Sequence, residues 1–188
     1  MKNVISSICF AVGALSCKAQ QIIPVEKMIE YRNLDTEIPN GAYLKDVNGL
    51  MNKYIGTWEG TYDKRKYTFI INKKKHDFSG ISVDELNVRY LITTFFGDVI
   101  EDTRSLPDNS PLVIGGDYIS KSKDYYVLNY CGRNATCGQS GSVFISTTSD
   151  NRQMKLFLSP DQGFIDTKKC TKVADQVLPT KSMFLTKQ

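Results

Sequence analysis

Residues 46–58 read Asp46-Val47-Asn48-Gly49-Leu50-Met51-Asn52-Lys53-Tyr54-Ile55-Gly56-Thr57-Trp58. Asp46 is a helix N-cap by residue type, because its carboxylate can accept from the free backbone N–H groups of a first turn. Val47, Leu50, Met51 and Tyr54 follow at i, i+3, i+4 and i+7, which predicts one apolar face of a short helix. Gly56 stops it, and Thr57-Trp58-Glu59-Gly60-Thr61-Tyr62 opens a sheet. From here the period drops to two. Tyr67, Phe69 and Ile71 alternate with Thr68 and Ile70, and Asp63-Lys64-Arg65 before them reads as a hairpin turn. Leu86 to Phe96 alternates Val88, Tyr90 and Ile92 against Arg89, Leu91 and Thr93, a run long enough to require a bend near Thr93-Thr94. Further runs lie at Val99 to Arg104, at Leu112 to Ile114 (broken by Gly115-Gly116), at Tyr125 to Tyr130, at Ser142 to Thr148, at Met154 to Leu158 and at Lys181 to Lys187. About nine short strands, with turn signals every ~8–12 residues, predict an all-β antiparallel barrel or meander with one short N-terminal helix. There is no βαβ rhythm, Gly-x-Gly-x-x-Gly or P-loop, so the pattern indicates no nucleotide or other cofactor.

The chain begins as an export signal. Lys2 supplies the positive start, and Val4 to Ser16 is apolar but too short for a stable anchor, which takes about 20 residues. Two cleavage readings stand side by side. Ala14-Leu15-Ser16-Cys17 resembles a lipoprotein box in which Cys17 is lipidated; Cys17-Lys18-Ala19 is a loose small-x-small site with Gln20 leading. Residues 1–19 are thus a signal segment, and the mature protein is expected in the periplasm, on a Gram-negative-type envelope as a lipoprotein, or secreted. Residues 20–45 carry prolines and no clean period, and read as an extended arm in which Glu26 to Arg32 could form a turn or two of helix. Residues 46–188 form the barrel-like domain.

Composition removes several functions. Of 188 residues 41% are hydrophobic and 23% charged, which suits a globular chain. One histidine, His76, leaves little scope for zinc sites or a Ser/His/Asp triad, and no metal site is expected. A net charge of +4 falls short of a nucleic-acid footprint. The basic runs Lys64-Arg65-Lys66 and Lys73-Lys74-Lys75-His76 fit hairpin ends, where lysines stay solvated and blunt sheet edges; contact with anionic lipid headgroups is the alternative. Glu59, Glu85 and Glu101 lie on or near strands, but nothing in the sequence makes any two of them face each other as a glycosidase pair would. Beyond the signal, Cys131, Cys137 and Cys170 remain, an odd number in an oxidising compartment. One disulfide leaves one thiol, and 131–137, 137–170 and 131–170 are all open.

The helix followed by Gly56-Thr57-Trp58 resembles the calycin superfamily, lipocalins and fatty-acid-binding proteins. The resemblance implies a barrel whose closed end is plugged by Trp58, with Gly56 turning the chain into the first strand. It also implies a basic residue of the last strand, Lys187 first and Lys181 second, over the indole face. No convincing second lipocalin motif is present; Gly116-Asp117-Tyr118 and Lys123-Asp124-Tyr125 are only echoes of one. Ile38 to Asp46, Tyr54 to Trp58 and Phe184 to Gln188, with Lys18-Ala19-Gln20 as a signal end, resemble an uncharacterised family of small exported bacterial proteins, a domain of unknown function. That resemblance implies pairing of Cys137 with Cys170 and leaves Cys131 as the extra thiol; it implies no activity.

Aromatic residues make up 11% of the chain. On alternating strands Tyr67, Phe69, Tyr90, Tyr126 and Tyr130, with Val88, Ile92 and Leu128, would line the interior. They form either an apolar ligand cavity or a solid core. Their bulk points to a mostly filled barrel, with room only beside Gly115 and Gly116. Three functions follow: a lipocalin-like module binding an apolar small molecule, a structural or interaction protein meeting an envelope partner, and, with least support, a hydrolase. In every case the membrane is reached only through a lipid on Cys17.

Overall fold

The computed structural model describes residues 20–33, 37–163, 165 and 167–188. The signal segment and its Cys17 lie outside them. Eight antiparallel strands close a ring: β3 (Gly56–Tyr62), β4 (Arg65–Phe78), β5 (Ile81–Thr94), β7 (Ile114–Ile119), β8 (Tyr126–Cys131), β9 (Ser140–Thr147), β10 (Gln153–Pro160) and β11 (Met183–Lys187). Each pairs with the next in chain order, apart from β6 (Val99–Asp102), a spur that pairs only with β5. The ring is completed where Thr186 and Lys187 pair with Glu59 and Trp58. This is the all-β antiparallel barrel that the alternating runs predict, and its closed ring is consistent with the calycin resemblance. Period-two strands bury one face, and closure leaves no open edge in the ring.

β4 and β5 are one long hairpin, paired from Arg65↔Thr94 to Phe78↔Ile81. The half near Thr94 belongs to the barrel, and the rest projects beyond it. Lys73 to His76 therefore sit along a strand and not at a hairpin end. The arm adds two short parallel strands to the projecting half, β1 (Ile22–Pro24) on β2 (Tyr43–Lys45) and β2 on β5 at Ser82 and Val83, with a short helix α1 (Met28–Asn33) between them.

The helix expected over residues 47–54 is a turn followed by a single 3-10 turn, Asn52–Tyr54. Gly49 is the physical reason. Its φ of +65° is left-handed and breaks the helix one turn in. Asp46 does not cap the 3-10 turn, but its carboxylate still binds the turn before it, accepting from Leu50 N–H (2.7 Å) and Met51 N–H (3.2 Å), two positions beyond the donors of a helix cap. Met51 and Tyr54 reach the core, while Val47 is half exposed. Among the described residues the α-helix is the one in the arm, α1. The run expected at Leu112 to Ile114 is displaced: β7 begins at Ile114 and passes through both glycines, and the irregularity falls just after them, as a register shift against β8 between Gly116 and Tyr118.

Candidate functional site: the barrel interior and its two ends

Every residue expected to line the interior does so. Tyr67, Phe69, Tyr90, Tyr126, Tyr130, Val88, Ile92 and Leu128 are all buried in one hydrophobic cluster. They fill the space by meeting each other. Tyr67 stacks on Phe69 with centroids 6.1 Å apart, Phe69 meets Tyr90 at 6.1 Å, and Tyr126 meets Tyr54 at 6.0 Å. The two glycines do not open this interior. A side chain at Gly116 would overlap the Tyr126 hydroxyl, which occupies that space and accepts from Leu86 N–H at 3.3 Å. The open space beside Gly115 is not part of the core.

At the closed end Trp58 is fully buried, and its indole N–H donates to the Tyr54 carbonyl at 2.7 Å. The Lys187 ammonium sits 5.2 Å from the ring centroid; Lys187, not Lys181, takes the cation role. Gly56 serves twice. Its φ of +130° is costly for other residues, and a Cβ there would come within 3.0 Å of Lys187 Cε.

The other end is closed by the segment between β10 and β11. A disulfide joins Cys137 to Cys170 and anchors that segment; Cys131 is an exposed free thiol. Beyond Cys170 the chain crosses the mouth. Tyr67 Oη donates to Val177 O (3.2 Å), Gln139 Nε2 to Asp175 O (2.8 Å), Gln176 Nε2 to Gly138 O (2.7 Å) and Leu158 N–H to Pro179 O (2.7 Å). Leu178 is buried beneath.

Under this plug lies a polar cluster that sequence reasoning missed. β6 turns Glu101 inward beside Ile92, and the carboxyl adjoins the Tyr90 hydroxyl, which in turn adjoins Tyr130. Glu101 Oε1 is 3.2 Å from Arg133 Nε, its link to the surface. Glu101, Tyr90 and Tyr130 have one another as polar partners, while Gln176 Oε1 is buried without one. Burial, and then the nearby Glu101 charge, push both tyrosines well above the usual phenol range. Burial likewise holds Glu101 above the ordinary carboxylate range, against the pull of Arg133.

The folded state therefore prefers the protonated Glu101 carboxyl. The stability from this preference is full below the ordinary glutamate value of 4.5, and it is lost as pH rises through the higher folded-state value. Glu101→Gln removes the titration. Relative to wild type, the variant is expected to gain stability as pH rises from the ordinary glutamate value of 4.5 through the higher folded-state value, in paired urea titrations. A difference that stays flat across that window would show a carboxyl unperturbed by folding.

The other candidates are dispersed. Glu59 lies on the outer wall and accepts from Thr68 Oγ1 at 3.3 Å. Glu85 meets His76 Nδ1 at 3.0 Å, a cross-strand contact that no local pattern marks, in an open hollow with Lys74, Asn87 and Asp108. Glu59, Glu85 and Glu101 have separate partners and do not form a carboxylate pair. Outside the barrel, Tyr125, Phe144 and Phe157 line an open groove of about 400 Å³ with Asp124 and Lys155; the two phenylalanine rings stack at 4.9 Å.

No protein-family model, curated protein or solved structure matches the chain.

Proposed function

We propose that the chain is an exported, non-enzymatic interaction protein: a barrel filled by its own side chains, whose outer surface meets a partner. The observation that carries this is the packing of Tyr67, Phe69, Tyr90, Tyr126 and Tyr130 into one buried cluster, closed by Trp58 at one end and by Leu178 at the other. A lipocalin-type ligand needs a pocket of about 300–1,000 Å³. The separate surroundings of the three strand glutamates give a hydrolase no acid–base pair to work with.

Native mass spectrometry of gently purified protein tests the reading. The expected result is the mass of the polypeptide with its own modifications, and no response to a panel of fluorescent fatty acids. A stoichiometric co-purifying apolar molecule would overturn it. One observation favours a second reading, internal binding behind a displaceable plug: the buried polar cluster of Glu101, Tyr90 and Tyr130 beneath it, with the unpartnered Gln176 oxygen. On that reading the ligand carries polar groups that pair with them.

A further inference from the structure

Four of the nine exposed large apolar side chains among the described residues lie together at the β5–β6 hairpin tip, while Phe78, Phe184, Val173, Ile22 and Val47 are exposed elsewhere. Phe96 is 93% exposed, Phe95 59%, Val99 64% and Ile100 38%. Such a group of apolar residues in water carries a standing cost, which points to a partner phase. The tip is not loose. Thr94 N–H donates to Asp98 O (2.8 Å), Gly97 N–H to Thr94 O (3.1 Å) and Asp98 N–H to Thr94 Oγ1 (3.1 Å), and Phe95 N–H ties the tip to Lys64 O of the neighbouring β3–β4 turn (3.0 Å). The rings are therefore held outward by the fold, as a preformed element.

Charge identifies the phase. The neighbouring turn supplies Lys64, Arg65 and Lys66 directly behind the aromatic tip, and the Lys66 ammonium sits 5.0 Å from the Phe95 centroid. Two carboxylates share the region: Asp63, and Asp98, whose carboxylate already accepts from Thr94 Oγ1 at 3.1 Å. Arg65 is turned to Val177 O of the plug (3.5 Å), so Lys64 and Lys66 are the cations beside the tip, with Lys66 lying over Phe95. Size argues the same way. A stable protein interface needs about 800 Å² on each partner, more than four side chains at a hairpin tip present. Aromatic rings that enter the acyl boundary while long cationic side chains remain at phosphate level are what an anionic bilayer surface binds.

We propose that the tip from Phe95 to Ile100 is a finger that inserts into the surface of an anionic phospholipid bilayer, with Lys64 and Lys66 engaging the headgroups. This goes beyond the filled-barrel reading and does not depend on what the interior holds.

The test is flotation with vesicles of phosphatidylglycerol and phosphatidylcholine, against pure phosphatidylcholine. Cys17→Ser is present throughout, so that no acyl chain contributes. The protein is expected to float with the anionic vesicles and to be released by high salt. Phe95→Ser/Phe96→Ser is expected to weaken binding at least tenfold while melting like the parent, since both side chains are exposed. Lys64→Glu/Lys66→Glu is expected to abolish the preference for anionic lipid. A Phe96→Trp reporter should shift its emission to the blue on anionic vesicles, above the constant signal of buried Trp58. Absence of flotation, or flotation unchanged in the serine pair, overturns the proposal. So does a self-association lost in the serine pair without vesicle binding, which would assign the finger to a second copy of the chain.

Discussion

Trp58→Ala is expected to lower folding stability by about 3–5 kcal/mol, the range for truncating a fully buried large aromatic. Three losses add at this position. The cavity opens at the junction of β3 with β4 and β11, where Trp58 pairs with Phe69 on one side and Lys187 on the other. The Tyr54 carbonyl loses its donor in a buried place. The Lys187 ammonium loses the ring it lies over. The strand pairings themselves are backbone bonds and survive, so the variant should unfold in one transition at lower urea. A loss below about 1 kcal/mol would mean that the barrel does not depend on its plug. Lys187→Met separates the cation from the packing and should cost far less.

Removing the Cys137–Cys170 bridge should cost about 3–4 kcal/mol. The cross-link spans a separation of 33 residues, and the chain-entropy model gives that range for a loop of this size. The loss should also have a location. The plug is held by a few hydrogen bonds, from Tyr67 and Arg65 to Val177 O and from Gln139, Gln176, Leu158 N–H and Ala174 N–H, together with buried Leu178, and without the bridge it should open before the ring does. Cys137→Ser/Cys170→Ser is therefore expected to be nicked by protease between β10 and β11 while the barrel stays folded. Non-reducing peptide maps of wild type should recover the 137–170 peptide pair and a Cys131 thiol open to alkylation. A 131–137 peptide would contradict the pairing, and three free thiols would remove the structural role altogether.

What could be read from the sequence was what repeats locally. Alternation along Tyr67-Thr68-Phe69 and Val88-Arg89-Tyr90 survives any register, because a half-buried strand sorts its side chains by parity. Gly56-Thr57-Trp58 was legible because a glycine and a large aromatic at that spacing restrict both backbone and packing. Residues 47–54 misled because Val47, Leu50, Met51 and Tyr54 satisfy a helical period that one left-handed residue, Gly49, interrupts. β1 and β2 are three residues each, too short for a period, and Pro24 hides the first of them. The disulfide had three arithmetical options from the cysteines alone. The pairing of Cys137 with Cys170 came from a resemblance, and the fold brings those two together. Glu101, Tyr90 and Tyr130 could not be joined in advance. Their meeting depends on β6 folding back on β5 with a register shift between Ile92 and Thr93, a tertiary event with no local mark.

The closing contact between β11 and β3 has a consequence for how the molecule comes into being. Its two partners are more than half the chain apart, while the other ring contacts join strands near each other in sequence. A growing chain can pair β3, β4 and β5 early, then add β7 to β10, and yet remain an open, curled sheet until residues 183–187 emerge. Over that interval the outer edges of β3 and β10 are bare, a template for wrong pairing with another chain. Contacts of such long range are also slow to form, because loop closure precedes any gain from packing. Topology alone thus predicts ring closure as the late, committing step of folding, carried by five residues, Met183–Lys187.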